Sequence, residues 1–201
     1  LTHTKTAASR RYTARDNVTY VLSLVNGGTA PLTELALTDD LGGYAFGTDT
    51  VYPLTYNEGT LRVYVNGVLQ TTPTVTAGPP LTVTGLTVPA GGNALRVYEA
   101  AVTRYAPLDQ EAAITNTATV TGGGLAAPLT AQATLAAAQR ADLTVSKAIC
   151  PATVTESGQL TYTFVLQNFG NTAATAGDNV ILTDTFDPAL TGLTVTYNGD
   201  T

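Results

Sequence analysis

The segment LTHTKTAASRRYTARDNVTYVLSLVNGGTA at residues 1–30 returns at residues 143–173 as LTVSKAICPATVTESGQLTYTFVLQNFGNTA. Lys5 falls on Lys147, Tyr20 on Tyr162, Asn26 on Asn168 and Gly28 on Gly170, all at a spacing of 142. Lys5 and Lys147 are the only lysines in the chain. Further on, LALTDDL at 35–41 matches VILTDTF at 180–186, which sets Asp39 on Asp184, and LRVYVNG at 61–67 resembles LTVTYNG at 193–199. Two copies in the same order, at a period near 140, indicate tandem domains rather than a solenoid. The first is expected over 1–139. The second, 140–201, is incomplete, because nothing in it corresponds to 68–120. AAAQRA at 136–141 is too short to hold a helix alone and reads as a linker. Half a sandwich would leave an apolar face and strand edges bare, so either the sequence is a fragment or strands from elsewhere are expected to complete the second copy.

Both copies read as β structure. Thr and Val dominate, and they suit pleated, half-buried surfaces. In NVTYVLSLV, Val18, Tyr20, Leu22 and Leu24 share one face. Asn66-Gly67 predicts a two-residue hairpin turn. LTVTGLTV and ALRVYEAAV supply further strands, while VNGGTAP and PAGGN supply turns. Seven to nine short strands per complete copy predict an all-β, immunoglobulin-like sandwich.

Several function classes are disfavoured. A net charge of −6 gives no basic field for nucleic acid. No apolar run is long enough to enter a membrane as a helix. His3 is the only histidine, so neither a Ser-His-Asp site nor a His cluster for a metal can be built, and no cofactor is expected. His3 is read as a partly buried strand residue. GGG at 122–124 opens no helix and does not read as a phosphate loop. Cys150 stands alone, so no internal disulfide can form, and a sheltered free thiol is expected.

The polar residues on apolar faces carry the chemistry. Alternate strand residues share a face. Lys5 has the parity of Leu1 and His3, Asp39 that of Leu35 and Leu37, and Asn116 that of Ile114 and Ala118. Lys147 and Asp184 repeat the first two. Burying such groups is costly even when they are paired. Two outcomes are open. One is a buried Lys–Asp pair with the Asn amide satisfying leftover lone pairs. In the other, desolvation favours neutral amine and neutral acid, the amine attacks the carboxamide, and an amide joins Lys5 to Asn116 with loss of ammonia.

The quoted residues resemble a conserved repeat of bacterial surface proteins, catalogued as domain of unknown function eleven. That repeat is related to collagen-adhesin B-type repeats and Gram-positive pilin domains. The matching features are a first-strand Lys followed by Pro, Gly-x-Leu-Thr-Tyr, Asn-x-Gly, a Thr-Asp-Thr strand end and a late Asn-Thr-Ala-Thr-Val. The resemblance implies an immunoglobulin-like sandwich in an exported or wall-attached stalk, fibre or pilus. It also implies an intramolecular isopeptide bond between a first-strand Lys and a last-strand Asn, assisted by an acid. On this pattern Lys5 and Lys147 are the amines, Asn116 the amide, and Asp39 and Asp184 the acids, with Glu99 in reserve for Asp39. No turnover enzyme is implied, only a single self-cross-linking event. The partners implied are neighbouring repeats or other copies, with a strand donated to the second copy and Lys147 linked to an outside residue or left free. An adhesin domain that binds a host protein or glycan is the alternative.

Overall fold

The computed structural model describes residues 1–197. Contacts divide the chain into two units, Leu1–Arg140 and Ala141–Thr201. In the first, β1 (Thr2–Ala7), β3 (Asn17–Val25), β12 (Asn93–Val102), β8 (Arg62–Val65) and β9 (Val68–Leu69) lie side by side in that order, with β7 (Leu54–Tyr56) also on β12. A second sheet runs β10 (Thr74–Thr76), β11 (Leu81–Val88), β4 (Leu32–Asp39), β13 (Ala113–Gly122), β14 (Leu129–Ala137) and β2 (Arg11–Tyr12). Its pairings are antiparallel except for β14 with β2. A small hairpin of β5 (Tyr44–Phe46) and β6 (Asp49–Val51) stands apart from both sheets.

The period-two pattern decides which face turns inward. On β3, Val18, Tyr20, Leu22 and Leu24 are buried and the residues between them are not. They join Leu35 and Leu37 of β4 and Ile114, Ala118 and Val120 of β13 in one core. Each large side chain so enclosed contributes about 1.5–3 kcal/mol relative to exposure. The fold is therefore an all-β, immunoglobulin-like sandwich. The expected hairpin forms between β8 and β9, with Asn66 at φ 48° and Gly67 at φ 81°. Positive φ at both positions is what a type I′ turn requires.

Three expectations need correction. The first unit has fourteen strands rather than seven to nine, because pairings of two or three residues at its edges add to the main ladders. Asn116 is not on the last strand: β14 follows β13, pairs along it and buries Ala133, Leu135 and Ala137. Ala136 and Ala137 thus belong to a strand, and the linker shrinks to residues 138–142.

In the second unit, β15 (Leu143–Cys150) pairs antiparallel with β16 (Thr161–Asn168). Local details of the repeat survive. The Asn26 side chain accepts from the Gly28 N–H at 3.0 Å and donates to the Ala30 carbonyl at 2.8 Å. Asn168 does the same with Gly170 at 2.9 Å and Thr172 at 2.7 Å. Arg15 and Ser157, again 142 apart, are both left-handed, at φ 67° and 60°. Residues 180–186, expected as a strand, join no ladder. In the first unit the matching β4 lies between β11 and β13, and neither has a counterpart among the described residues of the second. The apolar side chains of β15 and β16 are correspondingly bare, Val145 being 57% exposed. Cys150, expected to be sheltered, is an exposed free thiol for the same reason. Asn198 and Gly199, the expected second turn, lie outside the described residues.

Candidate functional site

Three adjacent strands of one sheet and two of the other frame a polar cluster inside the first unit. Lys5 on β1 sits opposite Leu22 of β3, while Tyr20 of β3 sits opposite Tyr98 of β12. From the facing sheet, Asp39 of β4 sits opposite Ala118, two residues along β13 from Asn116. All five polar side chains have core parity. Lys5, Asp39 and Asn116 are the lysine, acid and carboxamide expected from the sequence, and each is buried.

Lys5 Nζ lies 2.7 Å from Asp39 Oδ2, and both side chains are 0% exposed. The same Oδ2 accepts the Tyr98 hydroxyl at 2.5 Å. Asn116 Nδ2 donates to that hydroxyl at 3.3 Å. A continuous chain therefore runs Lys5–Asp39–Tyr98–Asn116. The second Asp39 oxygen, Oδ1, accepts the Leu41 N–H at 3.1 Å. The Asn116 carbonyl oxygen, Oδ1, is buried with no hydrogen-bond partner. An unmet buried acceptor costs roughly 1–3 kcal/mol, so it marks either strain or function.

Aromatic rings wall the cluster. The Lys5 ammonium lies over the Tyr20 ring, 4.9 Å from its centroid. Tyr20 stacks on Tyr98 at 5.5 Å, and Tyr56 meets Tyr98 edge-on at 6.0 Å. Burial pushes the Lys5 pKa down, and the neighbouring Asp39 charge opposes that shift without cancelling it. Burial likewise holds the Tyr98 and Tyr20 hydroxyls well above their usual value. The Tyr20 hydroxyl faces the Asn116 side chain but makes no hydrogen bond of normal geometry. A lysine with a depressed pKa, a carboxylate in contact with it and a nearby carboxamide are the parts of an amide-forming site.

The reserve acid, Glu99, is excluded by parity. It points outward from β12 and is exposed, with its backbone N–H donating to Thr60 Oγ1 at 3.1 Å. The residue beside it, Tyr98, takes the inward position. The sequence pattern places Tyr20 on an apolar face and assigns no role to Tyr98 or Asp40. In ALRVYEAAV, Tyr98 shares parity with Ala94 and Ala100, so the signal was present. His3 is partly buried as expected, with Nδ1 3.3 Å from the Leu129 carbonyl.

The second unit repeats half of the arrangement. Lys147 Nζ lies 2.7 Å from Asp184 Oδ2, with side chains 39% and 21% exposed. It stands over the Tyr162 ring at 4.4 Å, as Lys5 stands over Tyr20. Asp184 thus reaches the lysine although its segment joins no ladder. Among the described residues of this unit, none corresponds to Tyr98 or Asn116.

No family model matches the chain, and no curated protein matches it. Solved structures do. The Streptococcus pneumoniae pilus backbone protein RrgB is 16% identical with a TM-score of 0.44, over 59% of this chain and 30% of its own. Domains D2 and D3 of the Corynebacterium diphtheriae major pilin SpaD are 15% identical with a TM-score of 0.47, over 74% and 54%. The collagen-binding subdomain of the Enterococcus faecalis surface protein ACE is 8% identical with a TM-score of 0.43, over 65% and 94%. The chain thus spans about a third of that pneumococcal chain and about half of the two corynebacterial domains. At these identities the likeness is one of fold. Among the described residues, no helix is long and apolar enough to cross a membrane.

Proposed function

We propose that this chain is a structural module of an extracellular stalk, fibre or pilus-like assembly on a bacterial surface, hardened by an amide bond between Lys5 Nζ and Asn116 Cγ. One observation carries the reading. A lysine, an acid and a carboxamide from three separated strands meet inside the sandwich, and the carboxamide oxygen is left without a partner among the described residues.

The chemistry follows from placement. Asp39, in contact with the ammonium, takes one of its protons. The neutral amine attacks Asn116 Cγ, the Cγ–Nδ2 bond breaks, and ammonia departs. The nitrogen proton released on amide formation passes to the leaving group, and the proton first taken by Asp39 stays there or leaves as ammonium. Folding supplies the proximity. The event occurs once per molecule, so the module is not a turnover enzyme. The bond would close a loop of about 110 residues, worth roughly 4–5 kcal/mol by loop entropy. Its larger effect is kinetic: pulling on the chain could not peel β1 from the sandwich beyond Lys5, and an exposed stalk depends on slow unfolding.

Intact mass of the denatured protein tests this. A deficit of one ammonia is expected, and it should vanish in Lys5→Ala and in Asn116→Ala. A folded wild-type chain of full mass would end the proposal.

The bare face of β15 and β16 supports a second part of the reading. There, a strand from a neighbouring repeat or another copy covers the apolar side chains and approaches Lys147. A covalent ladder on denaturing gels that disappears in Lys147→Ala is the expected sign of a linked strand. Solution scattering and hydrogen exchange detect an unlinked one, and monomers with freely exchanging β15 amides would refute both forms.

The adhesin reading has its own observation. The β5–β6 hairpin holds Phe46 70% exposed, and its Thr50 and Val51 join Leu41, Tyr52, Leu54 and Tyr105 in lining a cavity of about 300 Å³. Exposed aromatics beside a cavity suit a protein or glycan ligand. Binding to host matrix proteins or a glycan array that weakens in Phe46→Ser would favour it.

A further inference from the structure

We infer that the Tyr98 hydroxyl is the catalytic donor to the oxyanion on Asn116, switched into that role when Asp39 takes a proton from Lys5. This rests on the cross-linking reading and adds to it a residue placed by the structure between the acid and the carboxamide.

The argument is one of hydrogen-bond direction. As the molecule stands, Asp39 Oδ2 accepts from both Lys5 at 2.7 Å and Tyr98 at 2.5 Å. A phenol has a single proton to donate, and Tyr98 has given it to Asp39. Its oxygen can then only accept from Asn116, and it receives Nδ2–H at 3.3 Å. The carboxamide is thereby held with its nitrogen toward Tyr98 and its oxygen unpartnered. This is a resting arrangement in which nothing stabilises charge on Oδ1.

Transfer of one proton from Lys5 to Asp39 reverses the chain. Asp39 now carries an O–H and donates to Tyr98. The Tyr98 O–H is freed from Asp39 and needs a new acceptor. A half-turn of the carboxamide exchanges Nδ2 and Oδ1 and presents Oδ1 to Tyr98. The step that makes the amine nucleophilic is therefore the step that polarises its target. As Nζ bonds to Cγ, the carbonyl electron pair moves onto Oδ1, where the Tyr98 O–H holds it. As the pair returns, the Cγ–Nδ2 bond breaks and the Nζ proton goes to the departing nitrogen. Tyr98 keeps its own proton throughout.

The site is built to hold this hydroxyl still. Tyr98 is 1% exposed, its ring is stacked on Tyr20, and Tyr56 meets it edge-on. Donors fixed where charge develops, away from water, are worth far more than mobile ones. Tyr20, although adjacent, makes no hydrogen bond with Asp39 or Asn116 of normal geometry, and its hydroxyl is the rival donor that the test must separate from Tyr98.

The test times bond formation. Full chains are produced by cell-free synthesis, quenched in denaturant at intervals, and weighed for loss of ammonia. Tyr98→Phe should slow the loss by about a hundredfold or more, the usual effect of removing one oxyanion donor, while Tyr12→Phe, a buried tyrosine outside the cluster whose hydroxyl donates to the Pro107 carbonyl, leaves the rate nearly unchanged. Circular dichroism checks that each variant folds. Should Tyr98→Phe fail to fold, fluorotyrosine at position 98 preserves the ring and changes only the acidity of its hydroxyl, and the rate should shift with it. Wild-type speed in Tyr98→Phe, a rate insensitive to fluorination, or slowing in Tyr20→Phe alone would overturn the assignment. A folded wild type that never loses ammonia would instead sink the underlying cross-linking reading.

Discussion

The Asp40 carboxylate accepts the Thr117 backbone N–H at 2.8 Å, while the Asp40 N–H donates to the Thr117 carbonyl at 2.9 Å. Asp39 and Asn116 are the neighbours of this reciprocal pair, so it fixes the separation of acid and carboxamide. The same Asp40 oxygen accepts the Gly42 N–H at 2.8 Å, which shapes the corner after β4. Gly42 is at φ +70°, and an added Cβ would come within 2.8 Å of Ile114.

Asp40→Ala should therefore disturb both stability and chemistry. Hydrogen bonds to a charged acceptor contribute about 1.5–3 kcal/mol each, and solvent would recover part of that. A net loss of about 1–3 kcal/mol is expected. Urea unfolding should be compared in a Lys5→Ala background, where no bond can form. In the otherwise native chain, ammonia loss should slow. Unchanged stability together with an unchanged rate would show that the corner does not position the site.

Arg96 presents the opposite case. It lies on β12 with core parity, is 1% exposed, and none of its three guanidinium nitrogens has a hydrogen-bond partner. Burial pulls its pKa down to about 10. An unpaired buried cation is a stability defect. Arg96→Met keeps much of the volume and removes the charge, so the midpoint of thermal unfolding should rise. The gain should be about 1–3 kcal/mol, the penalty of an unmet buried polar group. A drop in stability would mean that Arg96 has a partner in solution.

The sequence made the inward parity of Lys5, Asp39 and Asn116 legible because each shares a strand with unambiguous apolar neighbours. Tyr98 was harder to see. An aromatic on an apolar face satisfies the pattern whether or not its hydroxyl has work to do, and Glu99 beside it drew attention as the formal acid. β14 was missed for a different reason. Its inward residues include Ala131, Ala133 and Ala137, too small to produce an alternation and read more readily as helix or linker. Only its place along β13 makes it a strand. Residues 180–186 show the converse, a good strand pattern with no described neighbour to pair with.

The two lysines should differ sharply toward an amine reagent. Lys147 is 39% exposed, while Lys5 is enclosed. Mild acetylation of the folded protein, followed by digestion and mass analysis, should label Lys147 and leave Lys5 untouched. Asn116→Ala separates two causes of Lys5 protection. If burial alone protects it, the variant also stays unlabelled while folded and becomes reactive when unfolded. If wild-type Lys5 is linked as an amide, it stays unreactive even in denaturant. Labelling of Lys5 in denatured wild type would show that no bond had formed.

The lowered pKa of Lys5 gives a pH signature with a definite sign. Asn116→Ala leaves the amine free and buried. Its folded pKa lies below the usual lysine value of 10.5, chiefly through burial. Between that lowered value and 10.5, the unfolded chain holds a proton that the folded chain has released. Stability increases with pH wherever the unfolded state binds more protons. The variant should therefore gain stability relative to wild type across this alkaline window and lose that gain on return to neutral pH. A cross-linked wild type would lack this contribution, because its Lys5 nitrogen would be an amide in both states. The buried tyrosines, with raised pKa values, act in the opposite direction above pH 10.0, and the Asn116 side chain, which the variant lacks, opposes that rise, so the comparison is read below pH 10.0. Parallel stability curves for the two proteins from neutral pH to 10 would show that the variant's free Lys5 amine binds its proton equally in the folded and unfolded states, so that burial has not lowered its pKa into this range.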